Sequence, residues 1–366
     1  MVESLNLPEG TVRLPAATVQ IFVAAAFRVL GVPSDDAELV ADVLTSADLR
    51  GIRSHGVARM SFFLVRLEKG TINKQPDLRF VQGSDTTGLL EGDNGIGIVV
   101  AARAMEEAIS MAGRFGSGFV AVRDSSHFGY AGYWSRLAMA AGFIGISLSN
   151  SGRRVAPTFS DESVLGTNPF SLTIAGGADE TDFFLDMATS AVAVGKVETA
   201  LREGRGIPKG WVAEAGQRPT LDENGVLSFD APLLPLGGEG DETGGHKGYG
   251  LSLMVELLCG ALPGGSLADR IAGATGDAPS AMGHFMGAIK VDGFRPRAEV
   301  QADMAATFTL IRKSRREPGH DRILIPGEPE AIAEAANRDL GIPITPALMD
   351  QLRRWNSRLA LGFDLG

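Results

Sequence analysis

Ser54, His55 and Arg59 fall within six residues of one another, in a stretch that runs from Asp48 through Gly51 and Gly56. Imidazole is the side chain whose ordinary pKa lies nearest neutrality, and a guanidinium can clamp a carboxylate with two parallel N–H bonds. On a helix, residues four apart share a face, so His55, Arg59 and Phe63 would form one stripe. That stripe would supply a proton relay and an anchor for an organic acid. Taken alone, the pair also fits a plain helix start, with Ser54 as N-cap and His55 as a first-turn residue.

A second imidazole, His127, follows the apolar run 119–122 and precedes a helical segment. Strand ends that lead into helices are where α/β proteins place ligands, because backbone N–H groups and the helix dipole converge there. A turn histidine bonded to local backbone is the alternative. Thr167 and the pre-proline Asn168 can offer side-chain hydrogen bonds from a rigid turn, and turn formation alone would also explain them. Asp186, Met187, Ala188, Thr189 and Ser190 lie at the end of another β-like run, with hydroxyls suited to a sugar or phosphate. Seven glycines between Gly237 and Gly250 surround His246 and Lys247, ahead of an apolar helix expected over 251–262. Backbone amides of such a loop can approach phosphate oxygens, and the lysine adds charge. A flexible surface loop is the competing reading.

Several signatures are missing from the chain: GxxxxGK[ST], HExxH, GxSxG and CxxC. This counts against P-loop enzymes, zincins and α/β-hydrolases. The glycines at 116 and 118 precede a strand instead of following one, so the Rossmann context fails. The five histidines, at 55, 127, 246, 284 and 320, show no metal-ligand spacing, and no metal is expected. A serine hydrolase built on Ser54 and His55 is disfavoured, because adjacent residues do not readily reach nucleophile–base geometry.

The elements that must hold these groups read as α/β. The 366 residues, 44% hydrophobic and 21% charged, suit two domains with real cores. Helices are expected over 17–30, over a segment capped by Ser34, and from Ser54 to Gly70. Short β-type runs at 119–122 and 143–148 then alternate with helical ones at 101–112 and 133–141. Residues 222–242 read as loop. Helices return over 329–340 and 346–359, the latter behind Thr345 as cap. The division expected is 1–77 as an N-terminal helical part, 78–325 as the α/β domain, and 326–366 as a C-terminal helical part packing with the first. A net charge of −10 argues against nucleic acid and anionic membranes. The early residues lack a signal-peptide pattern, the most apolar early stretch, 16–32, is broken by Gln20 and Arg28 and too short to span a bilayer, and the lone Cys259 sits in an apolar run. A soluble protein of the reducing cytoplasm is expected.

In order along the chain, residues 50–57 with Arg59, 92–95, 126–129, 166–169, 186–190 with Gly195 and Lys196, 206–208 through Trp211, and 247–250 resemble the malate/L-lactate dehydrogenase family. This is the type that includes ureidoglycolate, sulfolactate and 2,3-diketogulonate oxidoreductases and cyclic-imine reductases. The resemblance implies a non-Rossmann NAD(P)-binding α/β domain with a mixed sheet, a helical domain formed from both chain ends, and a homodimer. It implies His55 as acid–base residue, Arg59 as carboxylate binder, His127 as a second functional histidine beside Ser54, and Thr167 at the substrate. For NAD or NADP it implies Asp186–Ser190, His246, Lys247, Gly327, Glu328 and Pro329.

Two departures bear on chemistry. Phe63 stands where many relatives carry tyrosine, which would make the pocket more apolar. Lys196 stands where the cyclic-imine branch has a relay aspartate. The function expected is hydride transfer between NAD(P) and a small 2-hydroxy/2-oxo acid; the rivals are a cyclic imino acid reductase and a non-catalytic ligand-binding relative.

Overall fold

The computed structural model describes residues 7–202, 206–213, 220–221, 227–228, 232–271 and 276–365. In chain order the elements are β1 (Val12–Leu14), α1 (Ala16–Val29), α2 (Ser34–Leu49), α3 (Met60–Lys69), β2 (Arg79–Gln82), β3 (Thr87–Glu91), α4 (Gly97–Phe115), β4 (Ser117–Ser125), α5 (Ala131–Ala140), β5 (Phe143–Ser149), β6 (Phe170–Ile174) and β7 (Phe183–Met187). Then follow α6 (Val194–Arg202), β8 (Thr220–Leu221), β9 (Leu227–Ser228), α7 (Gly245–Glu256), β10 (Met282–Lys290), α8 (Arg297–Lys313), α9 (Glu328–Leu340), β11 (Ile342–Ile344) and α10 (Pro346–Arg358).

Seven strands form one mixed sheet in the order β2-β3-β4-β10-β5-β6-β7. Only β3 and β4 run parallel within it, while β10 is antiparallel to both its neighbours. This is an α/β fold without the doubly wound parallel sheet of a Rossmann domain. Side chains alternate across β10. Met286 and Ala288 join the large core with α4 and Trp134, while Phe285 meets Leu148, Val255 and Cys259 on the other face. The large core continues through α1, α2 and α3 to Met349, Leu352 and Trp355 of α10. Fully buried side chains such as Phe22, Phe27 and Trp134 each contribute roughly 1.5–3 kcal/mol from apolar area removed from water.

The chain ends meet directly. β1 pairs with β11, Val12 opposite Ile344, and the Trp355 indole N–H donates to Ser61 Oγ at 2.7 Å. Neither short strand is visible to local pattern. Thr345 caps α10 as expected, its hydroxyl oxygen accepting from the Leu348 N–H. Ser34 does not cap α2: the helix starts at Ser34 itself behind Pro33, and the hydroxyl lies by Glu38 instead. The helix expected over 251–262 begins earlier, at Gly245, and ends in a π-type turn over Leu257–Ala261. Of the loop expected over 222–242, residues 222–226 and 229–231 lie outside the described ones, and a two-residue strand occupies 227–228.

Candidate active site

The segment bearing Ser54, His55 and Arg59 is not one helix. Arg53–His55 and Val57–Arg59 are two short 3₁₀ turns separated by an extended Gly56, with φ −82° and ψ −152°, and the α-helix starts only at Met60. The cause is Asp48, buried at the end of α2. Its carboxyl group accepts the Val57 N–H at 2.8 Å and lies so close that a Cβ on residue 56 would stand 2.0 Å from Oδ1. Only glycine fits there. The carbonyls of Asp48 and Leu49 in turn receive the side-chain amide of Asn337 from α9, whose own oxygen accepts from Arg13. Residues from both ends of the chain thus hold the turn.

Ser54 consequently makes no helix cap; its hydroxyl lies 2.9 Å from His55 Nδ1. Arg59 folds back instead of continuing a stripe, its Nε and Nη2 donating to the Ser54 carbonyl at 3.3 and 3.1 Å. Phe63 is fully buried against Phe27 and Phe62, so its difference from tyrosine falls in packing as much as in the pocket wall.

His127 comes to the same place from the sheet. It lies just past the end of β4, where the Ser126 hydroxyl accepts the Gly97 N–H and donates to the Gly95 carbonyl, tying the loop to the start of α4. The His55 and His127 ring centres stand 5.6 Å apart, and Phe62 and Phe63 close on His127 at 5.4 and 6.0 Å. Both rings keep a partly exposed edge. Burial, and then the Arg59 charge, push the His55 pKa down to about 3. The same causes, in the same order, hold His127 well below the usual range. The pair is therefore neutral at neutral pH. His127 Nδ1 accepts the Gly129 N–H at 3.1 Å, so its proton resides on Nε2 and the ring is a donor.

The family whose model matches residues 14–353 is described as malate/L-lactate dehydrogenase. The chain belongs to that family. It is 41% identical over 361 residues to a malate dehydrogenase of Pyrococcus abyssi, covering 99% of both chains. It is 37% identical over 335 residues to an L-sulfolactate dehydrogenase of Methanocaldococcus jannaschii, covering 91% and 93%. The solved malate dehydrogenase of Pyrococcus horikoshii OT3 superposes with a TM-score of 0.89 at 36% identity, over 100% of this chain and 99% of that one. This family member is accordingly a hydroxy-acid dehydrogenase.

The remaining expected residues connect by contact. Thr189 is buried, and its N–H and hydroxyl both donate to the Thr167 carbonyl. Ser190 is buried too, its hydroxyl donating to the Val192 carbonyl at 2.8 Å, while Met187 and Ala188 stay partly exposed. Asp186 accepts the Gly132 N–H at the start of α5; burial first, then the charge of Glu330, raises its pKa to about 7. Beside it, the Phe184 N–H donates to the Pro326 carbonyl, which sets Gly327, Glu328 and Pro329 at the start of α9 against β7. Glu328 is engaged by Arg312 at 2.7 Å. The Leu236 N–H donates to the Thr189 carbonyl, leading to α7, where His246 and Lys247 stand exposed in the first turn. Gly195 closes the circuit: its Cβ position is 3.0 Å from Ser54 Cβ. Lys196 points outward, exposed.

Sequence reasoning did not single out Asp48, Asn337 or Glu256. Asn168 is taken up by Glu256, its amide donating at 2.9 Å. The signal for Asp48 was an acidic residue placed at a helix end before two glycines, which no local pattern distinguishes from surface charge. Among the described residues no cluster suits a metal ion, and no helix is long and apolar enough to cross a membrane.

Proposed function

We propose that this dehydrogenase moves a hydride between NAD(P) and a small 2-hydroxy/2-oxo carboxylic acid of the malate or sulfolactate kind. The observation that carries the reading is the meeting of His55, His127 and Arg59 from separate elements. Arg59 would bind the substrate carboxylate through guanidinium N–H groups. His55, neutral and touching the Ser54 hydroxyl, would take the proton from the C2 hydroxyl in oxidation and return it in reduction. His127 would donate its Nε2–H to the C2 oxygen without itself gaining a proton, since a proton on Nδ1 would break the Gly129 bond. The phenylalanines around it would shield part of the ring from water.

The cofactor's place is tested by what lies between the outer segments. A cleft of about 390 Å³ runs between residues 157–161 and 234–240. Thr158, which lines it, has a buried hydroxyl with no partner, and Gly238 and Gly240 of its wall pack against Gly245 in the first turn of α7. These residues fit a dinucleotide: Lys247 and the α7 amides for phosphates, Asp186 for sugar hydroxyls, and Met187, Ala188 and Pro329 for apolar ring faces, with Ser190, His246, Gly327 and Glu328 shaping the surround. When bound, the nicotinamide supplies the site that accepts or gives hydride. The reading carries with it a helical domain built from both chain ends, a homodimer and a cytoplasmic location. Lys196, exposed where a relay aspartate would stand, weighs against cyclic imino acids.

General acid–base help is typically worth ~10²–10⁴ in rate. His55→Ala should therefore lose turnover of 2-hydroxy acids by about that factor while still quenching its tryptophan emission with NADH or NADPH. Wild-type turnover in the variant would reject the assignment.

A further inference from the structure

His284 takes no part in the steps above, yet it is completely buried in β10, between β5 and β4, the strand whose end leads to His127. Its Nδ1 is 2.9 Å from Ser149 Oγ, and its Nε2 is 2.8 Å from Ser125 Oγ. The Ser149 hydroxyl also faces the carbonyls of Asn150 and Gly283 at 3.0 and 3.2 Å. A carbonyl can only accept, so Ser149 donates there and receives the Nδ1–H of His284. Nε2 is then the acceptor for the Ser125 hydroxyl, whose other partner, the Ser126 carbonyl, is longer at 3.4 Å. The ring further stacks on Phe128, with centres 4.6 Å apart and planes 11° from parallel.

Ser125 and Phe128 bracket the two residues Ser126 and His127. We propose that His284 is a positioning residue for His127: a neutral imidazole that grips both shoulders of its loop, by hydrogen bond on one side and by stacking on the other. This rests on the reading of His127 as a donor to the substrate oxygen. A histidine meets both demands because it is a flat ring that accepts at one edge and donates at the other. Phenylalanine would keep only the stack and asparagine only one bond.

The test is a double-mutant cycle against His127→Ala, with Ser125→Ala and Ser149→Ala as paired controls. Both serine hydroxyls bond the same ring, but only Ser125 lies on the loop. His284→Phe and Ser125→Ala should lower kcat for the 2-hydroxy acid roughly tenfold or more, as misplacement of an aligned group does, with the KM for cofactor unchanged and Ser149→Ala shifting kcat less than about twofold. In the His127→Ala background neither substitution should lower kcat further. Equal losses in both backgrounds, or a Ser149→Ala loss matching that of Ser125→Ala, would overturn the inference. If His284→Phe does not fold, the Ser125→Ala cycle decides alone. Full turnover in His127→Ala, with His55→Ala inactive, would overturn the His284 role and leave proton transfer by His55 standing.

Discussion

Asp48→Asn isolates the group that bends the chain into the turn bearing Ser54, His55 and Arg59. Burial raises the Asp48 pKa from 3.8 to about 7, against the lowering effects of the Val57 N–H and of Arg53. Between those two values the unfolded chain carries the ionised carboxylate while the folded one stays protonated. Unfolding then releases a proton, and stability falls as pH rises through this window. The full displacement, about 3 units at 1.36 kcal/mol each, is worth about 4 kcal/mol. The part lost between about pH 5 and about pH 8 is roughly 2.5 kcal/mol by the same linkage. At ~2.1 cal/mol/K per residue, a chain of 366 residues turns this into a Tm difference of about 3 °C. Asparagine keeps an oxygen for the Val57 N–H and cannot ionise, so its Tm should decline less over that range. Asp186, raised with the same sign, is common to both proteins and cancels in the difference. Scanning calorimetry of both proteins at the two pH values measures it. Parallel decline of wild type and variant would refute the placement of a protonated carboxyl beneath Gly56.

Three further outcomes follow from the same geometry. Arg59→Ala should raise the KM for the acid by roughly 10–100-fold, the worth of a charge-assisted bond, and steady-state kinetics that leave KM unmoved would remove Arg59 from the carboxylate. Because burial, and then Arg59, depress His55 to about 3, an anionic, unreactive 2-oxo acid analogue that offsets the Arg59 charge should raise that value, so that its binding tightens and draws in a proton only as pH falls into the acid range above about 3; titration heats there that do not depend on the buffer's ionisation enthalpy would count against this. Gly56→Ala places a methyl group against Asp48 and should cost about 1–3 kcal/mol by overpacking together with most of the turnover, read by urea unfolding and assay; a stable, fully active variant would contradict the close contact.

The sequence reveals what is local. Apolar runs marked the cores of β4 and β5, helical periodicity marked α4 and α5, and Thr345 announced α10, because each depends on neighbours a few residues away. The type and spacing of Ser54, His55 and Arg59 drew attention to the segment, but the helical stripe drawn through them was not correct. Asp48 takes the Val57 N–H and Gly56 opens, an arrangement that depends on a carboxylate buried by tertiary packing. The β1–β11 pair, the Asn337 amide at the end of α2 and the two serines on His284 join residues 135 to 332 positions apart. Contacts at that separation leave no periodicity to read.

The grip of Asn337 on the end of α2 also sets an order of events during synthesis. Domains form from the N-terminus as the chain emerges, yet the carbonyls of Asp48 and Leu49 cannot receive that amide until residue 337 has left the ribosome, nor can Val12 find Ile344 in β11. The turn bearing His55 can be clamped only last, so a ribosome-stalled chain ending before α9 would carry both histidines without the device that holds the first in register.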